Sequence, residues 1–309
     1  MVDAFRRLWL VVIAVLAVAF TFYQFDLPAL AKVLPTIPFG FLLLLMSVVT
    51  LSVFAVCCVR WIAISQLPWS LSVFARVYCY ISFVIGASIV TPFQLGELLK
   101  IKFAHQSGLK LGKSAVNIAL ERILDLATIA ALGAAGFIHL HTGSVPLSIG
   151  AVVALIAAGL MAPMMLQAYV GRLGETPWGA RMRALVGESL PIGRLAIVGL
   201  ATILKWGLTL VAWVLIVRTV YVDFSIWQGA FLVGAVTMIS ILSMVPGGVG
   251  VQELSVRAIL VGMGAEPSQA EAAAIILRLF TPVMVFLGLA HLPFLYRKSD
   301  PTGGKEPHG

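Results

Sequence analysis

Apolar runs long enough to cross a bilayer recur along the whole chain, separated by short polar connections. They fall at 8–25, 39–59, 73–90, 114–138, 147–169, 196–217, 228–245 and 272–295. A run of about 18 or more apolar residues reads as a transmembrane helix, because a helix rising about 1.5 Å per residue needs that length to span the hydrocarbon core. Two shorter stretches, 94–104 and 251–263, follow proline and glycine interruptions. The pattern predicts an all-α, polytopic membrane protein with a single integral membrane domain over 1–298. The tail from Ser299, "SDPTGGKEPHG", reads as a disordered end over 299–309. At the other terminus, "MVDAFRRLWLVVIAVLAVAFTF" has a basic start and an apolar body, and residues 17–19 resemble a signal-cleavage site. We expect a retained first helix rather than a cleaved leader.

Composition supports the same class. The chain is 61% hydrophobic and only 11% charged, with a mean hydropathy of +1.04. A soluble domain carries about 25% charged residues, so there is too little charge here to cover a water-facing surface. The net charge of +8 would point to nucleic acid in a soluble protein. In a membrane protein it reports orientation, and we expect no nucleic-acid partner. Cys57 and Cys58 are adjacent in one apolar run and Cys79 lies in another, which suits packing rather than a disulfide. His139, His141 and His291 sit near segment ends without metal-ligand spacing, and no nucleotide-binding loop occurs. No metal or cofactor is expected.

Charge also tests the topology. Suppose 73–90 with 94–104, and 228–245 with 251–263, are re-entrant hairpins that enter and leave on one side. Six full spans then remain. Arg6, Arg7, Arg60, Arg76, Lys100, Lys102, Lys110, Lys113, Arg172, Arg181, Arg183, Arg194, Arg297, Lys298 and Lys305 collect on one face, 15 of the 21 basic residues. Only Lys32 and Arg218 lie on the other. The positive-inside rule makes the rich face cytoplasmic, and with it both termini. If both hairpins crossed fully, the 170–195 loop with its arginines would face outside.

The two breaks resemble each other. In "TPFQLGE" and "VPGGVGVQE", Pro92 and Pro246 are 154 residues apart, and so are Gly96 and Gly250. Gly247 and Gly248 add freedom to the second break, and Glu97 and Glu253 follow the two breaks. Three crossings separate the copies, so the second is upside down. That predicts an inverted repeat with broken helices meeting near the midplane. Proline withholds an N–H and glycine relaxes the backbone, so the helix can stop and restart inside the membrane. Backbone freed this way must line protein or a wet cavity. Each restarted helix aims its positive N-terminal end at the centre, which suits an anionic group such as a phosphate.

Charged residues within apolar runs sharpen this picture. Glu121 and Asp125 in "LERILDLATIAAL" share a helix face, and Arg122 is three residues from Asp125, close enough to pair. Arg278 lies at a similar depth from the opposite side. A charge at membrane depth costs on the order of 3 kcal/mol, so such residues pair, face a cavity or mark a pathway. The plainer alternative is a structural clamp between Arg278 and Glu121 or Asp125. Lys100, Lys102 and His105 on the first return arm either guide anionic headgroups or anchor the arm at the interface. Lys205 either reaches a polar cavity or snorkels to the surface. Arg60–Trp61, at the end of a span, reads as interfacial anchoring.

The ordered set of "RW" after the second span, "TPFQLGELLK", "ERILDL", "VPGGVGVQE" and an arginine in the last span resembles the lysylphosphatidylglycerol synthase transmembrane-region family, also called the flippase-like domain family. The resemblance covers roughly residues 5–298. That family includes the membrane half of bacterial aminoacyl-phosphatidylglycerol synthase/flippases, and standalone proteins linked to hopanoid or envelope glycolipid pathways. The resemblance implicates Pro92, Gly96, Glu97, Glu121, Arg122, Asp125, Pro246, Gly247, Gly250, Glu253 and Arg278, and Lys100 fits a basic position common in the family. The 309 residues hold no soluble aminoacyl-transferring domain. The expectation is a non-enzymatic translocase of the bacterial inner membrane for an anionic phospholipid or prenyl-phosphate-linked glycolipid. A glycosyltransferase or lipid-modifying enzyme is the expected partner. The alternatives are a non-transporting accessory subunit of an envelope pathway and an intramembrane enzyme.

Overall fold

The computed structural model describes residues 34–91, 96–106, 111–172, 190–243 and 245–296, with isolated residues at 28, 31, 179 and 180. The expected first span (8–25), Pro92, most of the 170–195 loop and the tail from 299 lie outside the described residues. Among the described residues eleven α-helices follow one another: α1 (Phe39–Ile64), α2 (Leu71–Val90), α3 (Leu99–Gln106), α4 (Leu111–Thr142), α5 (Val145–Gly171), α6 (Ile192–Arg218), α7 (Ile226–Leu242), α8 (Val251–Gly262), α9 (Pro267–Arg278), α10 (Phe280–Leu289) and α11 (Leu292–Tyr296). No strand occurs among the described residues.

Among the described residues six stretches are long and apolar enough to cross a membrane: Phe39–Ile64, Leu71–Ile89, Gly112–Thr142, Val145–Ala162, Ile192–Arg218 and Pro267–Leu295. The protein is therefore a multi-pass membrane protein. Five of these stretches coincide with expected full spans. The sixth, Leu71–Ile89, is the long arm of the first expected hairpin.

Helix boundaries follow local chemistry. Ser70 accepts from the Val73 N–H to start α2, and Ser225 with Gln228 forms a reciprocal capping box at α7. Glu266 and Gln269 form a second box at α9, where Pro267 occupies the first turn. The expected 272–295 span is jointed. Pro282 has no N–H for the Arg278 carbonyl and its ring crowds that turn, so α9 ends at Arg278 and α10 begins at Phe280.

The helices are apolar on both faces, because lipid and protein interior are equally dry. On α1, Leu42, Met46, Val49 and Val53 are buried while Leu43, Leu44, Val48 and Leu51 are exposed. Two helix pairs pack closely. Helix α7 lies against α4, and α2 lies against α10. Glycines make both approaches. A Cβ on Gly234 would sit 2.4 Å from the Gly133 nitrogen, and one on Gly288 would sit 2.8 Å from the Gly86 Cα. Helices α1 and α6, each preceding a break region, pack on each other.

Candidate functional site

The first break turns the chain back on itself. Helix α2 ends at Thr91, whose hydroxyl accepts from the Gly96 N–H at 2.8 Å. Gly96 rests on the backbone of α2: an added Cβ would meet the Ser88 Cα at 2.6 Å, so no larger residue fits without movement. Beyond it, α3 returns along α2. The Phe103 ring stacks on Tyr80 with centroids 4.1 Å apart, and the Tyr80 hydroxyl donates to the Leu99 carbonyl.

This return carries Glu97 and Lys100 to the ionic side chains of α4. Lys100 Nζ lies 2.7 Å from both Glu97 Oε2 and Glu121 Oε2. Glu121 Oε1 accepts from Arg60 Nε at 2.9 Å, and Arg60 Nη1 reaches Asp125 Oδ1 at 2.8 Å. Asp125 also meets Arg122 Nη2 at 3.1 Å and Lys205 Nζ at 3.0 Å, and accepts from the Trp206 indole at 3.0 Å. Arg122 closes the circuit on Glu97 Oε1 at 3.4 Å. The Lys100 ammonium also lies 5.3 Å from the centre of the Trp61 ring.

Among the described residues, four cations (Arg60, Lys100, Arg122 and Lys205) thus face three carboxylates (Glu97, Glu121 and Asp125), a formal excess of one positive charge. Arg60 and Glu121 are each 1% exposed. By contrast the Arg122 side chain is 37% exposed, so the cluster opens to its surroundings through this guanidinium.

The second break has its own, simpler pair. Gly247, Gly248 and Gly250 all hold positive φ, between 60° and 79°, which side chains with a Cβ resist. Arg278 Nη1 donates to the Gly247 carbonyl at 2.7 Å, and its Nε lies 3.2 Å from Glu253 Oε1. Glu253 sits in the first turn of α8, where its charge complements the helix dipole. Glu253 Oε2 is buried and meets no donor among the described residues. The second break meets the end of α2: a Cβ on Gly247 would lie 3.3 Å from the Ile89 carbonyl oxygen. The ion pairs correspond as well, since Glu97 to Arg122 and Glu253 to Arg278 are each 25 residues apart.

Several sequence expectations change here. Arg60 is not an interfacial anchor but the most buried cation of the first cluster, and Trp61 beside it is fully buried. Helix α1 continues four residues past Arg60 through Ile64, all of them buried, which places the guanidinium inside the protein. The signal was present: "WIAI" after Arg60 prolongs the apolar run past the drawn end at 59. Arg278 does not clamp Glu121 or Asp125; it pairs with Glu253. Lys205 reaches Asp125 rather than the surface. Thr202 and Trp206, which bond Arg60 and Asp125, were not singled out, and neither was Glu271, which pairs with Arg257 at 2.8 Å between α8 and α9. Lys102 is exposed, and the His105 side chain lies outside the described residues. Pro246–Gly248 forms a single 3-10 turn.

No group of three or more His, Cys, Asp or Glu residues suited to a metal ion occurs among the described residues. The clusters are chemically suited to holding a phosphate or another anion through guanidinium and ammonium donors. No curated protein and no solved structure matches the chain. The family model of the lysylphosphatidylglycerol synthase TM region, however, matches residues 7–288. That match takes in all but the two ends of the 309-residue sequence, and the protein belongs to the lysylphosphatidylglycerol synthase transmembrane-region family.

Proposed function

We propose that the protein is a lipid translocase of the bacterial inner membrane. It moves an anionic phospholipid or a prenyl-phosphate-linked glycolipid between leaflets. The observation that carries this reading is the unbalanced first cluster: four cations against three carboxylates, with Arg122 as its exposed member. A formal excess of positive charge among these described side chains is costly in a dry surrounding, and a phosphate arriving at Arg122 relieves that cost. Guanidinium donors suit phosphate geometry, whereas a neutral headgroup would leave the charge unmatched.

The framework for this movement is a pair of re-entrant hairpins, α2–α3 and α7–α8, set in an inverted repeat with six full spans around them. Helix α3 has 8 residues and α8 has 12, so each is far shorter than the ~20 residues that a span needs. The reciprocal packing of α2 on α10 and of α7 on α4 supports the repeat, as do the equally spaced ion pairs. Setting the buried Arg60 and Lys100 aside, thirteen of the fifteen cations remain on the face assigned to the cytoplasm, against Lys32 and Arg218 on the other. The bias keeps both termini cytoplasmic. The headgroup passes beside the place where the second break meets α2 while its tails stay in lipid, and no covalent chemistry is involved. A glycosyltransferase or lipid-modifying enzyme would supply or consume the lipid.

The test is leaflet exchange of labelled phosphatidylglycerol and of a prenyl-phosphate glycolipid in proteoliposomes. Arg122→Ala is expected to slow exchange by tenfold or more, on the order of the ~1.4 kcal/mol that one charge-assisted contact contributes. If Arg122→Ala and Arg278→Ala purified intact and moved every tested lipid as fast as wild type, the phosphate roles would be wrong.

A further inference from the structure

Glu97 and Glu253 hold equivalent places after the two breaks, yet their surroundings differ. Both oxygens of Glu97 are held, Oε1 by Arg122 and Oε2 by Lys100, and Lys100 is held in turn by Glu121. A proton on Glu97 would break two ion pairs inside a closed network. Glu253 has one ionic partner, Arg278 on Oε1, while Oε2 is buried without a donor among the described residues. Glu253 is only 7% exposed, and this oxygen meets no donor among the described residues that a proton would displace. When the proton arrives, Arg278 keeps the Gly247 carbonyl and the Gln252 side chain as partners. The paired and protonated states of Glu253 are therefore both accommodated, which is not so for Glu97.

Few other groups compete at this place. From α9, Arg278 faces Glu253, while Glu271 engages Arg257 one turn further along α8. Helix α7, packed on α8, has no ionisable side chain, and neither does the end of α2 over residues 81–91, which abuts the Pro246–Gly248 turn. Arg278 is also the side chain that grips Gly247, where the second break meets the end of α2. Releasing Glu253 thus removes the ionic tie between α8 and the side chain that holds this contact.

We propose that Glu253 binds and releases the proton that couples headgroup movement to a transmembrane proton gradient, with Glu97 remaining an ionised structural partner. This rests on the translocase reading. A proton from water on one face adds to Glu253 Oε2 and the ion pair opens. On the other face the proton returns to water and the pair re-forms, with nothing oxidised or reduced.

Two measurements on the full-length protein in phosphatidylethanolamine/phosphatidylglycerol vesicles test it. The first is an infrared titration. The difference spectrum of wild type minus Glu253→Gln is expected to contain one titrating carboxylic-acid stretching band, and that of wild type minus Glu97→Gln to contain none. A wild type minus Glu253→Gln spectrum without such a band, or the same band in wild type minus Glu97→Gln, overturns the proposal. The second is leaflet distribution of fluorescent phosphatidylglycerol under an imposed gradient. For one proton per lipid, one pH unit sustains at most about a tenfold imbalance between leaflets. Wild type is expected to build such an imbalance, and Glu253→Gln to equilibrate the probe identically with and without the gradient. Movement by wild type that ignores the gradient overturns the coupling alone. No movement by wild type, with the band intact, overturns the translocase reading and the coupling with it.

Discussion

Replacing Arg60 with alanine removes the guanidinium that joins α1 to α4 and α6. It deletes the 2.9 Å contact to Glu121, the 2.8 Å contact to Asp125 and the 3.3 Å hydrogen bond to Thr202. Breaking a buried pair from one side typically costs about 3–5 kcal/mol. Here the lower end applies. Glu121 keeps Lys100, Asp125 keeps Arg122 and Lys205, and the cluster becomes three cations against three carboxylates. About 3 kcal/mol corresponds to roughly two orders of magnitude in the unfolding equilibrium. An interfacial anchor would instead be worth about 0–1 kcal/mol. Reversible unfolding in mixed micelles, followed by tryptophan fluorescence, separates the two values. A double-mutant cycle with Asp125→Ala is expected to give coupling of about 2 kcal/mol. Arg60→Lys keeps the charge but loses the forked geometry, so its stability is expected between alanine and wild type. A loss below about 1 kcal/mol with no coupling to Asp125 would refute this placement of Arg60.

Further expectations follow from the close approaches and the second pair. Gly234→Val places side-chain atoms where a Cβ alone would be 2.4 Å from Gly133 backbone, so it is expected to lower the melting temperature, with a cost of about 2 kcal/mol or more. Gly150→Ala, with nothing within 4 Å of its Cβ, is the control and is expected to be neutral or slightly stabilising. Glu271→Gln leaves Arg257 with a weaker neutral acceptor and is expected to cost about 1–3 kcal/mol in the same unfolding assay.

The spans were legible because lipid imposes length and dryness, and these are written directly in the apolar runs. The interruption between α7 and α8 was legible because Pro246 and the glycines after it stop a helix. Which charges meet was harder to read. Arg122 with Asp125 followed from helical spacing, since three residues bring side chains onto one face. Arg60 with Glu121 joins residues 61 apart, and no local periodicity encodes that meeting. The same applies to Lys205 with Asp125, 80 residues apart. The joint after Arg278 could have been anticipated from Pro282, whose missing N–H forbids an unbroken turn there. The face that each apolar helix buries could not, because lipid-facing and protein-facing residues on α1 are chemically alike.

The proposed translocation requires two interrupted helices that enter the bilayer from opposite faces and meet at Gly247 and Ile89. Single cysteines at Ser107 and Ser268, in a background lacking Cys57, Cys58 and Cys79, place the two connections relative to the membrane. Labelling of intact cells with a membrane-impermeant maleimide is predicted to modify Ser268→Cys and spare Ser107→Cys until the membrane is opened. Modification of both from the same compartment would contradict the account.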